Sequence, residues 1–253
     1  MIITNIKYFD PHNVGDWAAS PFSYFDFPHM DKMFFNMMDY AGKTKKFFNP
    51  IFGGGGLLFH SDRMKYIFNH SKGAIVTWGL GANTHDSIEV NYPDFFDKAT
   101  LNGVRDCGTK WDWVPCASCM SSLFDISYDI TNKFVIYEHK GKPIRIEGIL
   151  KENNGGSDLE SKIKFIGSAE VVITNTYHGM YWATLLGKKV VLIDPFSSRF
   201  FGFKYTPQYV NLDNWKDKAK SSVAYKDALE ECRFKNIQFY SKVMNVLGDH
   251  KNI

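Results

Sequence analysis

The chain has no apolar run approaching the roughly 20 residues needed to cross a bilayer, so no integral membrane segment is expected. Its four cysteines do not form the framework of a disulfide-stapled secreted domain. Charge of either sign is also scarce in excess: 30 Lys and Arg against 27 Asp and Glu leave +3, too little and too dispersed for a nucleic-acid binder. The lysine-rich stretches at 43–46 and 216–220 read as solvated faces. The opening residues, MIITNIKYFD, lack a basic segment followed by an apolar core, so no secretory leader is expected and a cytoplasmic location is the default. Neither a Walker Gly-Lys-Ser/Thr nor a Gly-x-Gly-x-x-Gly fingerprint with a partner acid is present, and there is no internal repeat. Cys116 and Cys119 form a Cys-x-x-Cys pair, but zinc would need two further ligands at matching spacing. A redox pair would open a helix after a strand, whereas Pro115 directly precedes Cys116. The two are read as buried thiols beside a loop, and no metal is expected.

What is present is an ordinary globular composition. A 44% hydrophobic share in 253 residues suffices to bury a core in one large or two modest domains. Aromatic residues reach 16%, with 22 Phe and 13 Tyr. Such rings suit core packing and carbohydrate stacking alike, and core packing is the reading taken.

The hydrophobic pattern divides into two α/β halves. In the first, residues 2–8 read as an opening strand, residues 21–39 as a helix packed by its Phe, Met and Tyr, and 47–52 as a strand feeding Gly53–Gly56. A helix near 62–70 follows, then a strand at 74–78 ending in Gly79-Leu80-Gly81-Ala82-Asn83-Thr84, and a short apolar piece at 101–106. In the second half, 134–138 is a strand, 152–158 a loop of structure breakers, and 159–167 a helix. Residues 169–194 then form a strand–turn–helix–strand unit: the run Val171-Val172-Ile173, polar Thr174, Asn175 and Thr176, an apolar helix over 180–186 closed by Gly187, and a second β-branched run at 190–193. A long amphipathic stretch over 224–247 suits a closing helix. Strands alternating with helices predict parallel sheets covered on both faces, with domains at 1–128 and 129–253.

Candidate chemistry follows from position. In parallel α/β sheets ligands bind outside the carboxyl ends of strands. His178 and Gly179 fall at such an end, beside a helix N-terminus that favours anions. An imidazole there can bind an anion or move a proton. Gly53, Gly54, Gly55 and Gly56 let backbone N–H groups approach a phosphate or sugar, and equally serve a tight strand–helix turn. Asn13-x-Gly15-Asp16 can offer a carboxylate to a sugar hydroxyl or form an Asx-turn. Arg105 can hold a phosphate or carboxylate bidentately, or pair with Asp106 at the surface.

Taken in order, Asn13-Val-Gly15-Asp16, the glycine run, Gly103-Val-Arg105-Asp106 and Thr174…His178-Gly179 with the following helix and Gly187 resemble the polysaccharide pyruvyl transferase family. The resemblance spans about residues 13–194 through short motifs. It implies two Rossmann-like domains with parallel sheets facing a cleft in a GT-B-like arrangement. It also implies transfer of a pyruvyl group from phosphoenolpyruvate to a sugar hydroxyl of a polysaccharide or glycan precursor, giving a pyruvate ketal with no cofactor beyond that donor. By the same carry-over His178 and Arg105 handle the donor, with His178 as acid. Asp16 orients or deprotonates the acceptor, which can be lipid-linked. Asn13, Gly15, Gly53–Gly56, Asn83, Thr174, Asn175, Thr176, Tyr177 and Gly179 are the remaining substrate-binding candidates. Thr176 stands where the family often has an arginine, and Lys188-Lys189 where proline is common. Two other readings of the same pattern are a GT-B-like glycosyltransferase with a nucleotide-sugar donor and a non-catalytic glycan-binding protein.

Overall fold

Two all-parallel sheets carry the chain. The computed structural model describes residues 1–39, 46–54 and 56–249. The strands in chain order are β1 (Ile2–Lys7), β2 (Asp31–Asn36), β3 (Phe47–Phe48), β4 (Pro50–Phe52), β5 (Ser71–Lys72), β6 (Val76–Leu80), β7 (Leu101–Val104), β8 (Asp112–Trp113), β9 (Asn132–Glu138), β10 (Lys151–Asn153), β11 (Ala169–Thr174), β12 (Lys189–Ile193) and β13 (Gln208–Val210). The first sheet has the order β2-β1-β4-β6-β7-β8 and the second β10-β9-β11-β12-β13, with β3 and β5 paired separately. The helices are α1 (Val14–Ala18), α2 (Ser61–Asn69), α3 (Leu159–Gly167), α4 (Tyr177–Leu185), α5 (Trp215–Lys220) and α6 (Ala228–Asp249). This is a mixed α/β protein of Rossmann-like class. No helix among the described residues is long and apolar enough to cross a membrane.

Local sequence explains most elements. In β11 and β12 the β-branched runs are buried almost end to end, as central strands of a parallel sheet covered on both faces must be. Helix α4 is buried at eight of its nine positions, so it shows no polar face. It begins at Tyr177 rather than Met180, because Thr176 serves as its N-cap and accepts from the Gly179 N–H at 2.9 Å. Gly187 ends it in the left-handed region, φ 64°.

Three expectations need correction. Residues 21–39 do not form a helix: Pro28 and His29, the latter at φ 61°, break the stretch, and the aromatic remainder becomes edge strand β2 in parallel register with β1. The strand expected at 74–78 runs instead over Val76–Leu80. Its register with β7 shifts between Thr77 and Leu80, where Gly79 takes φ 65° against the Pro115 carbonyl. Arg105 and Asp106 do not form a surface pair, for both are buried.

The two halves interlock. The closing helix α6 packs Phe239, Val243 and Leu247 against Ile3, Val76 and Trp78 of the first sheet, and the Trp78 indole donates to Asn236 at 2.8 Å. In the opposite sense, Val14 and Ala18 of α1, with Ala19, enter the core built on β9, β11, β12 and α4. The Val14 N–H donates to the Asn154 carbonyl at 3.1 Å. A further stitch joins the halves near the site: Asp86 N–H to the Phe196 carbonyl, 3.1 Å, and Ser198 N–H to the Thr84 carbonyl, 2.9 Å.

Candidate active site

Between the halves lies a cavity of about 60 Å³ lined by Asn13, Asp16, Gly56, Asn83 and Arg105 from the first and by His139, Asn154, Thr176, Tyr177, His178, Phe196 and Arg199 from the second. Each lining group comes from a segment leaving the carboxyl end of a strand: β1, β4, β6, β7, β9, β10, β11 and β12. Both sheets therefore deliver their ligand edges to one place.

Arg105 follows β7. Its guanidinium lies over the Tyr177 ring at 3.6 Å, a cation–π contact strengthened by the burial of both side chains. Its Nε is buried with no hydrogen-bond partner among the described residues. A Cβ on Gly81 would overlap that Nε, so the bare glycine makes the arginine's path. Asp106 turns the other way and accepts from the Ala82 N–H at 2.7 Å and the Tyr92 hydroxyl at 2.7 Å. Arg199 reaches the cavity from the loop after β12. It is held by hydrogen bonds from its Nε to Ser197 Oγ, 2.8 Å, and from Nη2 to Asn83 Oδ1, 2.7 Å. Burial and the neighbouring Arg105 push its pKa down to about 10, so it remains charged at neutral pH.

His178 occupies the first turn of α4. Its ring is tilted over Trp182 at 4.9 Å, and its Nε2 lies 3.6 Å from the Cys116 sulfur. Burial pushes the Cys116 thiol up, so it stays protonated. Ser118 donates to that sulfur at 3.3 Å and accepts from the Trp182 indole at 3.0 Å, which fixes sulfur and ring together. Burial, then Arg105 and Arg199, push the His178 pKa down to about 3. Asp16 accepts from the Asp10 N–H at 3.2 Å. Burial is the main cause that drives its pKa up to about 7, with the Asp10 charge adding to it and the Asp10 N–H, Arg199 and Lys140 opposing. Two guanidiniums, a neutral imidazole and a carboxylic acid that ionises near neutrality therefore share one small, largely buried space. Such a space suits a small anion and proton transfer.

Of the other sequence candidates, Asn13 caps α1 through the Gly15 N–H at 3.1 Å and lines the cavity. Gly15 matters because a Cβ there would overlap His178 Nδ1. Gly15→Ala is accordingly expected to displace the imidazole, read as a shift of the His178 ring resonances by NMR, with a native circular dichroism spectrum as the control. Gly56, Asn83, Thr176 and Tyr177 line the cavity, whereas Gly53, Gly54, Thr174, Asn175 and Gly179 are absent from its wall. Gly53 packs on Pro21, and Gly54 turns at φ 97° beside Ser20. Thr174 donates to the Tyr137 carbonyl at 2.6 Å, and Gly179 fits closely against Thr174 and Thr176. Asn175 holds the loop after β9 through His139 N–H, 2.8 Å, and the Lys142 carbonyl, 2.7 Å. Gly55 lies outside the described residues. Cys116 and Cys119 are buried free thiols.

His139, Asn154, Phe196 and Arg199 were not singled out in the sequence. The signal existed: the strand-end rule that selects His178 also selects His139 after β9 and residues 196–199 after β12.

No protein-family model and no curated protein sequence matches the chain. Among solved structures, a functionally uncharacterized protein from Klebsiella pneumoniae subsp. pneumoniae NTUH-K2044 is similar at 16% identity and a TM-score of 0.47, over 75% of this chain and 82% of that one.

Proposed function

We propose that the protein is a ketal-forming transferase of the pyruvyl transferase kind, with a GT-B-like arrangement of its halves. It moves the pyruvyl group of phosphoenolpyruvate to two hydroxyls of a sugar. The observation that carries this reading is the convergence of Arg105, with its buried unpaired Nε, and Arg199 from opposite halves on a cavity that also holds His178 and Asp16. A compact donor bearing both phosphate and carboxylate suits two guanidiniums. Arg199 supplies a second cation to the cavity that Thr176 also lines, Thr176 standing where the resembling family often carries an arginine.

In this reading the proton roles differ from the family-based expectation, and the ionisation of Asp16 and His178 supports the change. Asp16, protonated to a substantial extent near pH 7, is the acid that protonates the methylene carbon of the donor. His178, unprotonated, accepts the proton of the first sugar hydroxyl as its oxygen bonds to the central carbon. The carbon–oxygen bond to phosphate then breaks, and the leaving phosphate carries the electron pair and takes the proton from His178. The second hydroxyl attacks the same carbon and returns its proton to Asp16, closing the ketal and restoring the acid. Arg105 and Arg199 stabilise the charge that grows on the leaving phosphate, an effect that is largest where water is excluded.

Phosphoenolpyruvate with methyl glycosides, followed by mass spectrometry, tests the reaction directly. Formation of the ketal supports it, and unchanged glycosides reject it. Phosphoenolpyruvate is also expected to raise the melting temperature by several degrees at saturating concentration and to do so much less in Arg105→Gln. A groove of about 500 Å³ beside the cavity, lined by Lys142, Arg145 and Asp194 and sharing Phe196 with it, favours a second reading, a nucleotide-sugar donor. Stabilisation by a nucleotide sugar in place of phosphoenolpyruvate would select that reading.

A further inference from the structure

The high aromatic content is only partly spent on the cores. A continuous arc of rings starts in the cavity wall and runs out over the first half. His139 and Phe196 line the cavity and lie 5.8 Å apart. Phe196 touches His85 at 5.9 Å, His85 touches Phe59 at 4.7 Å, Phe59 touches His60 at 5.1 Å, and His60 stacks on Tyr8 at 5.2 Å. The arc therefore crosses from one half to the other at the mouth of the cavity. Phe59 is 52% exposed although Leu57, two residues earlier in the same turn, is 1% exposed. Gly56, three residues before Phe59, is itself in the cavity wall.

We infer that this arc is the platform for a neutral acceptor sugar, with Phe59 and His85 as its outer contacts and Phe196 as the step into the cavity. The inference rests on the pyruvyl-transfer reading for the fate of the sugar, and on the rings alone for its binding. A pyranose offers a face of C–H groups to the electron-rich face of an aromatic ring and a rim of hydroxyls that need both donors and acceptors. The arc alternates phenyl rings with imidazoles; a neutral imidazole has one donor and one acceptor, and His139 spends its acceptor on the Gly141 N–H at 3.1 Å, which leaves its donor for a hydroxyl. His60, His85 and His139 are all held below their ordinary pKa, chiefly by burial and then by nearby cations. An aliphatic lipid or a protein helix would call for a continuous apolar surface, which this alternation does not provide. Successive ring spacings of 4.7–5.9 Å over five steps give room for more than one sugar ring.

Saturation-transfer NMR with lactose and methyl β-D-galactopyranoside, without donor, reads the platform on the whole protein. The wild type is expected to show saturation on one C–H face of the sugar, and Phe59→Ala and His85→Ala each to weaken binding by about three- to tenfold. Both side chains are exposed, and circular dichroism checks that each variant folds. Absence of sugar binding in the wild type, or binding unchanged in both variants, overturns the platform. Phosphoenolpyruvate stabilisation, measured in parallel, separates the two proposals. Sugar binding that depends on Phe59 in a protein indifferent to the donor keeps the platform and rejects pyruvyl transfer. Donor binding without sugar binding does the reverse.

Discussion

His178→Gln is expected to lower ketal formation by about 10²–10⁴-fold, the range for losing a positioned proton-transfer group, while leaving the fold intact. Glutamine keeps a polar side chain of similar reach between Cys116 and Trp182, so the packing around the start of α4 changes little. The Thr176 cap of that helix does not involve the imidazole. What disappears is an unprotonated base in the wall of the cavity that Arg105 and Arg199 also line. The wild-type rate is also expected to fall as pH rises past about 7, because the acid role of Asp16 requires its proton. His178→Gln should keep that limb of the pH profile at a reduced rate, and Asp16→Asn should abolish it. Steady-state rates with phosphoenolpyruvate across pH 5–9 (a window of about two units either side of that titration) provide the check. Turnover in His178→Gln within a few-fold of wild type would remove the imidazole from the mechanism.

The same two groups should tilt the stability of the protein in opposite directions with pH. Asp16 has a folded pKa of about 7 against about 3.9 in an unfolded chain. Its contribution is fully present below about pH 4 and is lost as pH rises to about 7, a change of up to about 4 kcal/mol. His178 has a folded pKa of about 3 against about 6.5 unfolded. Its contribution is present above about pH 6.5 and is lost as pH falls. Between about pH 4 and 6.5 the two slopes oppose each other in the wild type. Asp16→Asn should therefore gain stability as pH rises through that window and exceed the wild type at pH 8, whereas His178→Gln should lose stability over the same rise. Urea unfolding of the three proteins at several pH values measures this. Parallel profiles for all three would contradict the burial of these charges.

Much of the second half was legible from the sequence because β-branched runs and a polar break leave little choice. Residues 171–173 and 190–193 can hardly be anything but buried strands, and Gly187 marks the end of the helix between them. The first half was harder. Residues 21–39 carry aromatic groups at spacings compatible with a helix. Their conformation is decided by Pro28, by the left-handed His29 and by pairing with β1, a partner more than 20 residues away in sequence. The site was legible where a motif met a strand end, as at His178, Arg105 and Asp16. It was not legible where the chemistry depends on tertiary approach. Cys116 is remote from His178 in sequence and touches it only because α4 leans on the Pro115–Met120 segment. The ionisation of Asp16 and His178 follows from burial, which sequence does not display. Arg199 was hidden for a different reason, since it lies several residues beyond β12 and a 3-10 turn at Ser198–Phe200 brings it back.

Helix α6 follows every strand in the chain yet covers the first sheet to be synthesised. Until residues 228–249 have been made, Ile3, Val76 and Trp78 have Phe25, Phe27 and Val114 beside them but lack the Phe239, Val243 and Leu247 side of their core. The segments of the second sheet, by contrast, are close together in sequence and meet α1 residues already in hand. The usual order, in which the N-terminal unit is completed first during synthesis, is not open to this chain, because both cores take residues from α6. The long sequence separation between α6 and β1 makes that final docking the entropically costly step. Completion of the first half's core thus falls late, and a chain stalled before residue 228 would leave that core without its α6 side.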